Sequence, residues 1–139
     1  SVMAYLPDRK MLVAHSIAGQ GAPSTGWKGS RTSHYSVEKN EWTTAFEGKG
    51  EPGDPPGGHD AKTNFAYDQV GKVCLLWDAS YTHALWAYDL ETRKWTKLAP
   101  KGPPPQGGLL AYYDAAQNLF VIPGKWVYRH AVRGEGKAP

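Results

Sequence analysis

The segment Tyr88-Asp89-Leu90-Glu91-Thr92-Arg93-Lys94-Trp95-Thr96 restates, without a gap, Tyr35-Ser36-Val37-Glu38-Lys39-Asn40-Glu41-Trp42-Thr43. Tyr, Glu, Trp and Thr fall at the same places, so one hairpin is written twice. Working outward, Ala66-Tyr67-Asp68 followed by Val73-Cys74-Leu75-Leu76 aligns on Tyr112-Tyr113-Asp114 followed by Leu119-Phe120-Val121-Ile122. Ala4-Tyr5 followed by Met11-Leu12-Val13 is a third copy. Trp86-Ala87-Tyr88 recurs as Trp126-Val127-Tyr128, and Gly57-Gly58 recurs as Gly107-Gly108. Self-similarity in one consistent order is the mark of a repeat architecture.

Each unit reads as four short strands, a to d. In the second unit a is Asn64 to Tyr67, b is Lys72 to Trp77, c is His83 to Tyr88 and d is Lys94 to Leu98. The a–b link Asp68 to Gly71 and the c–d link Asp89 to Arg93 suit antiparallel hairpins, with each Asp bonding back to its own turn backbone. The run Pro100 to Gly108 cannot sit in a ladder, because its prolines carry no N–H donor. It reads as a crossing loop between units, as does Gly48 to Gly58. No stretch has helical periodicity, so almost no helix is expected.

Composition narrows the class. A chain of 139 residues suits a single domain. With 40% hydrophobic and 21% charged residues it reads as globular, and no window approaches the roughly 18 unbroken apolar residues of a spanning helix. A net charge of +3 from scattered basic residues gives no electrostatic case for nucleic acid. Cys74 is the only cysteine, which excludes an internal disulfide and a multi-cysteine metal site. Sixteen glycines and eleven prolines beside six tryptophans and eight tyrosines fit short strands broken by turns.

Four-stranded units of about 40–50 residues are the sequence sign of a β-propeller blade. Tyr-Asp closing strand a, an aromatic-x-Tyr strand c, then Trp95-Thr96-Lys97-Leu98 and a Pro/Gly-rich link resemble the kelch repeats of galactose-oxidase-like propellers. The resemblance covers residues 1–133 and is strongest from Thr63 to Leu98. It is divergent, since the glycine pair that kelch repeats place after strand b is replaced by His15-Ser16, Trp77-Asp78 and Pro123-Gly124. What it implies is an all-β, kelch-like propeller segment of four-stranded antiparallel meanders. The expected blades span about 1–47 and 60–99, with a partial third at about 109–133 and a frayed tail at 134–139. The third unit stops after c, so eleven strands leave the ring open. The expected completion is a Trp-bearing strand d from an upstream segment, as the C-terminal part of a longer propeller. The rival is another copy of the chain.

If strand a runs from one face of the propeller to the other, the b–c and d–a loops share one face and the a–b and c–d turns share the opposite one. The long insertions, Ala18 to Thr32 and both Pro/Gly links, are on the first face, where binding usually resides. Trp27, Lys28, Arg31, His59, Tyr81 and His83 are the candidate binding residues, because an aromatic platform beside cationic and imidazole groups suits a sugar or a peptide carboxylate. Trp42, Trp86, Trp95 and Trp126 recur at repeat positions and are expected in the core between blades. Asp68 and Asp114 recur at a strand end and are expected to hold turns.

No catalytic residue, metal site or cofactor is expected. The histidines His15, His34, His59, His83 and His130 match no ligand spacing. His15 reads as a packed or hydrogen-bonded residue, His34 as an ordinary strand position. The resemblance raises a copper-radical site built from a crosslinked Tyr–Cys pair, a second Tyr and two His. Cys74, however, lies in a continuous apolar strand and no Tyr-His pair occurs. The expected function is therefore non-catalytic recognition of a protein or a glycan through the b–c and d–a loop face. The alternatives are part of a propeller-borne oxidase or sugar-modifying enzyme, and a structural assembly subunit. The resemblance suggests an extracellular or periplasmic setting, while the free cysteine also fits cytoplasm.

Overall fold

The structure, a computed structural model, describes residues 1–17, 29–57, 63–79, 82–102, 110–123 and 126–130. Among the described residues eleven strands fall into three antiparallel sheets. The first holds β1 (Val2–Leu6), β2 (Met11–Ile17), β3 (Ser30–Ser36) and β4 (Glu41–Glu47), in that order. In the second, β5 (Thr63–Asp68), β6 (Val73–Asp78), β7 (Ala84–Asp89) and β8 (Lys94–Lys97) repeat the meander. A third sheet has β9 (Tyr112–Asp114), β10 (Leu119–Ile122) and β11 (Trp126–Tyr128). One 3-10 turn, Pro7–Arg9, is the only helical element among the described residues. The chain is thus all-β and built of propeller-like blades, with four, four and three strands among the described residues. The tail 134–139 lies outside the described residues.

Local chemistry explains the hairpins. Asp68 Oδ1 accepts from the N–H groups of Val70 and Gly71 at 2.9 and 2.8 Å. Asp89 Oδ1 accepts from Glu91 and Thr92, and Asp114 Oδ1 from Ala116 and Gln117, all at 2.9–3.0 Å. Each such aspartate substitutes for a backbone acceptor and fixes its turn. The last residue before strand b or d is left-handed at every turn: Lys10, Asn40, Lys72, Arg93 and Asn118 have φ between 49° and 57°. The expected turn roles of Asp68 and Asp114 hold.

Packing follows from the two-residue period of a strand. Along β6 every residue is buried, because the sheet has a neighbour on both sides. Cys74, with Tyr67 and Tyr88, meets Ala4, Leu6 and Val13 of the first sheet. Val73, Leu75 and Trp77, with Leu85 and Ala87, meet Phe120 and Ile122 of the third. Adjacent positions of one strand therefore serve two different cores. Burying each of the Val, Leu, Ile and Phe side chains among them is worth about 1.5–3 kcal/mol.

The register turns the sequence repeat into a spatial one. Tyr67, Cys74, Tyr88 and Trp95 lie opposite one another across all four strands of the second sheet. Tyr5, Leu12, Tyr35 and Trp42 form the same row in the first sheet. Tyr113, Phe120 and Tyr128 form it in the third, which has no fourth strand among the described residues. In the second and third sheets the row packs against the preceding sheet. In the first sheet it points outward, and Tyr5 and Trp42 are each 52% exposed.

That exposure corrects the expectation that all four repeat tryptophans are core. Trp86 is 3% exposed and Trp95 and Trp126 are half-buried, whereas Trp42 is exposed with Tyr35 beside it, at 5.2 Å between ring centres. Its position in the row is right, but no described sheet covers that face. Replacing Trp95 by Ala should lower the unfolding free energy by about 3 kcal/mol, whereas Trp42→Ala should cost less than about 1 kcal/mol, as for an exposed site. Urea denaturation of the two variants measures both; equal losses would contradict the packing described.

Candidate functional site

The described parts of the b–c and d–a links, Gly29, Gly48 to Gly57, Thr82, His83 and Leu98 to Gly102, lie at the ends of the sheets where the blades meet. Between the first and second blades a buried polar chain holds the face together. His15 Nε2 is 2.7 Å from the carbonyl oxygen of Pro56, and Nδ1 is 2.9 Å from Thr32 Oγ1. Trp95 Nε1 donates to the same Thr32 hydroxyl at 2.9 Å, and its ring packs 4.5 Å from the imidazole. A carbonyl only accepts, so Nε2 carries the proton and Nδ1 accepts from the Thr32 hydroxyl. Every donor in this chain then has an acceptor, as a buried network requires.

The same network anchors the d–a loop. Asp54 Oδ2 accepts from the N–H groups of Lys49, Gly50 and Glu51 at 2.8–3.1 Å, while Gly48 N–H donates to the Ser30 carbonyl at 2.8 Å. Pro55, Pro56 and Gly57 are buried. In the second blade, Asp78 Oδ2 accepts from the Thr82 backbone and hydroxyl at 2.7 and 2.8 Å, and Trp86 Nε1 donates to that hydroxyl at 3.1 Å. These loops are built into the blades by their own side chains. Pro/Gly composition marks the d–a link as a crossing; no sequence signal marks Asp54 or, in the b–c loop, Asp78 as organisers.

Between the second and third blades the same face holds a cavity of about 190 Å³. Trp77, His83, Leu85, Leu98, Pro100 and Trp126 are among its lining residues. Trp77 is 1% exposed, and its indole N–H is buried without an acceptor among the described residues. Trp126 lies flat against Tyr128, with ring planes 3° apart. A smaller cavity of about 110 Å³, lined by Gly29, Asp54, Pro56 and Thr82, opens between the first two blades.

Of the six candidate binding residues, Trp27, Lys28, His59 and Tyr81 lie outside the described residues. Arg31 stands on β3 and pairs with Glu47 across the strand at 2.6 Å. That pair is exposed on both sides, so it contributes little to stability. His83 is exposed, with a left-handed φ of 47°, at the rim of the larger cavity. Arg31 and His83 are on different blades, and Arg31 does not line that cavity.

His34 and His130 are buried and hydrogen-bonded, His130 Nδ1 lying 3.0 Å from the Tyr128 hydroxyl. His34 is more than an ordinary strand position: it is buried, and its Nε2 lies 3.0 Å from the Tyr88 hydroxyl of the next blade. Cys74 is fully buried, and desolvation pushes its thiol well above the ordinary range. No cluster of three metal-ligating side chains occurs among the described residues.

The fold and its loop face define a β-propeller segment. Among solved structures the chain is similar to TolB from Acinetobacter baumannii, a β-propeller protein, with a TM-score of 0.52 and 12% sequence identity over 99% of this chain. It spans 33% of the TolB chain, so the likeness is to part of a larger body. No protein-family model and no curated protein sequence matches the chain.

Burial holds His15 neutral. Desolvation lowers its pKa to about 4, against the bond to the Pro56 carbonyl, which raises it. In the unfolded chain the imidazole titrates near its ordinary value of 6.5. The unfolded state therefore takes up a proton first, and stability is full above about pH 6.5 and falls as pH drops toward 4. Between pH 7 and pH 5 the loss from this residue should be about 2 kcal/mol. Denaturation of the wild type and of His15→Gln at both pH values checks it: the slope should flatten in the variant, and an unchanged slope would refute the assignment.

Proposed function

We propose that the protein is a non-catalytic binding module, kelch-like in its repeats, that recognises a protein or a glycan through the b–c and d–a loop face. The observation that carries the reading is the asymmetry between the two faces. On the turn face, Asp68, Asp89 and Asp114 repeat and each is bonded into its own turn. Such residues are scaffold. On the loop face the described side chains differ from blade to blade: His15 stands where the second blade has Trp77, Asp54 organises the first link, and His83 sits exposed beside a cavity. Variation on a rigid frame is where recognition is written.

In this reading Trp27, Lys28, Arg31, His59, Tyr81 and His83 contact the ligand. The blades run over about 1–47, 60–99 and 109–133, and the setting is extracellular or periplasmic. A second reading, as an assembly subunit that joins further blades, is favoured by the outward row Tyr5, Leu12, Tyr35 and Trp42, whose counterpart in the second sheet is covered.

The test is a panel of oligosaccharides and peptides titrated against the wild type and against Trp27→Ala, Arg31→Ala and His83→Ala. Each variant should keep its unfolding midpoint and lose about tenfold in affinity for whichever ligand binds. Affinity unaffected by all three, with loss on changing the turn residues Lys39 or Thr92, would move the site to the opposite face.

A further inference from the structure

We propose that the contact between the first and second sheets is an acid-released latch: proton uptake by His15 and His34 parts these two sheets while the second and third stay joined. The latch needs no ligand and none of the six residues named for the loop face.

The two histidines share one face of the first sheet. In the register His15 is opposite Thr32 and His34 is opposite Val13, and all four are buried. Both rings reach across to the next blade. His15 packs on Trp95 and bonds the Pro56 carbonyl, and His34 Nε2 meets the Tyr88 hydroxyl at 3.0 Å. This bonding requires neutral imidazoles. The Thr32 hydroxyl donates to His15 Nδ1, and the buried Tyr88 hydroxyl donates to His34 Nε2. A proton on either nitrogen turns that acceptor into a donor, strands a buried hydroxyl hydrogen and places a charge out of water.

Nearby charges act in the same direction. Desolvation lowers the pKa of both rings, helped by Arg93 and Arg9 at His34 and by the Ser1 amine at His15; the Pro56 carbonyl alone pulls the other way. The carboxylates at this interface are engaged: Asp8 with Tyr67 and Lys72, Asp54 and Asp89 with their own turn N–H groups, and Glu91 with Arg9.

The second interface is built the other way. Its core is apolar, with Val73, Leu75 and Trp77 packed with Phe120 and Ile122. At its turn end, Asp68 Oδ2 is buried with no donor among the described residues. That oxygen and His130 Cδ2 each lie 2.8 Å from the point a Cβ on Gly71 would occupy. A positive charge on His130 is therefore drawn to a carboxylate, so acid does not drive this pair of sheets apart.

The sign follows from linkage. His15 titrates at 6.5 when exposed and at about 4 when the sheets are closed, so the parted state takes up the proton first. The contact is at full strength above about pH 6.5 and weakens as pH falls toward 4. Between pH 7 and pH 5, His15 alone raises the parted fraction about twentyfold, and His34 adds to it.

Cys74 reads the latch, because its thiol is fully buried in the first interface. Its rate of reaction with a dipyridyl disulfide, divided by that of glutathione at the same pH, measures its protection. That protection should fall at least about tenfold between pH 7 and pH 5. In the variant Cys74→Ala, Ala87→Cys, the thiol lies instead in the second interface, where Ala87 is buried. Its protection should change less than about threefold over the same range. With His15→Gln and His34→Gln together, Cys74 protection should also stay within about threefold. The comparison of the two thiols leaves both histidines in place, so it decides the matter even where the double variant does not fold. Undiminished Cys74 protection at pH 5, equal losses at the two thiols, or a full pH dependence in the folded double variant would each overturn the proposal.

Discussion

A cross-strand row of aromatic and apolar side chains, facing the preceding sheet, is the interaction on which the rest of the structure depends. Tyr67, Cys74, Tyr88 and Trp95 fill the gap between the first two blades, and Tyr113, Phe120 and Tyr128 fill the next. A twisted four-stranded sheet has two faces and cannot bury either alone. Stacking sheets by a repeated row solves this for every sheet with neighbours on both sides and leaves it unsolved at the ends. Met3, Tyr5 and Trp42 are exposed at one end, and Tyr112 and Val127 at the other.

The second sheet is the centre of the molecule, and the loop face inherits its rigidity. His15 joins β2 to the d–a loop through the Pro56 carbonyl and to the second blade through Thr32 and Trp95. At the turn face, Asp8 accepts from Tyr67 and Lys72 of the second blade at 3.0 and 2.7 Å, and Arg9 pairs with Glu91. Both ends of the first interface are thereby clamped. The second interface keeps a cavity where the first has a tryptophan.

Much of this was legible in the sequence. The spacing of Tyr, Glu, Trp and Thr in the two hairpins gave the strand number and order, because repeats of sequence impose repeats of register. The turn aspartates were legible for the same reason. Trp42 was misread, since a repeat tells which side of the sheet a residue occupies but not whether another sheet is there to cover it. His34 was underrated because its partner, the Tyr88 hydroxyl, is on another blade. The loop-face cavity had no signal in any single stretch, as its walls come from β6, β7, the link after β8, and β11.

The most direct test compares β2 with β6 by native-state amide hydrogen exchange. Each is an inner strand of a four-stranded sheet with hydrogen-bonded neighbours on both sides, and they differ in whether both faces are covered. If sheet-on-sheet packing of the aromatic rows governs stability, the amides of Val73–Asp78 should exchange at least about tenfold more slowly than those of Met11–Ile17, approaching the rate set by global unfolding. Equal protection in the two strands would mean that hydrogen bonding within each sheet, or a cover on the outward face of the first, sets the stability instead, and would contradict the account.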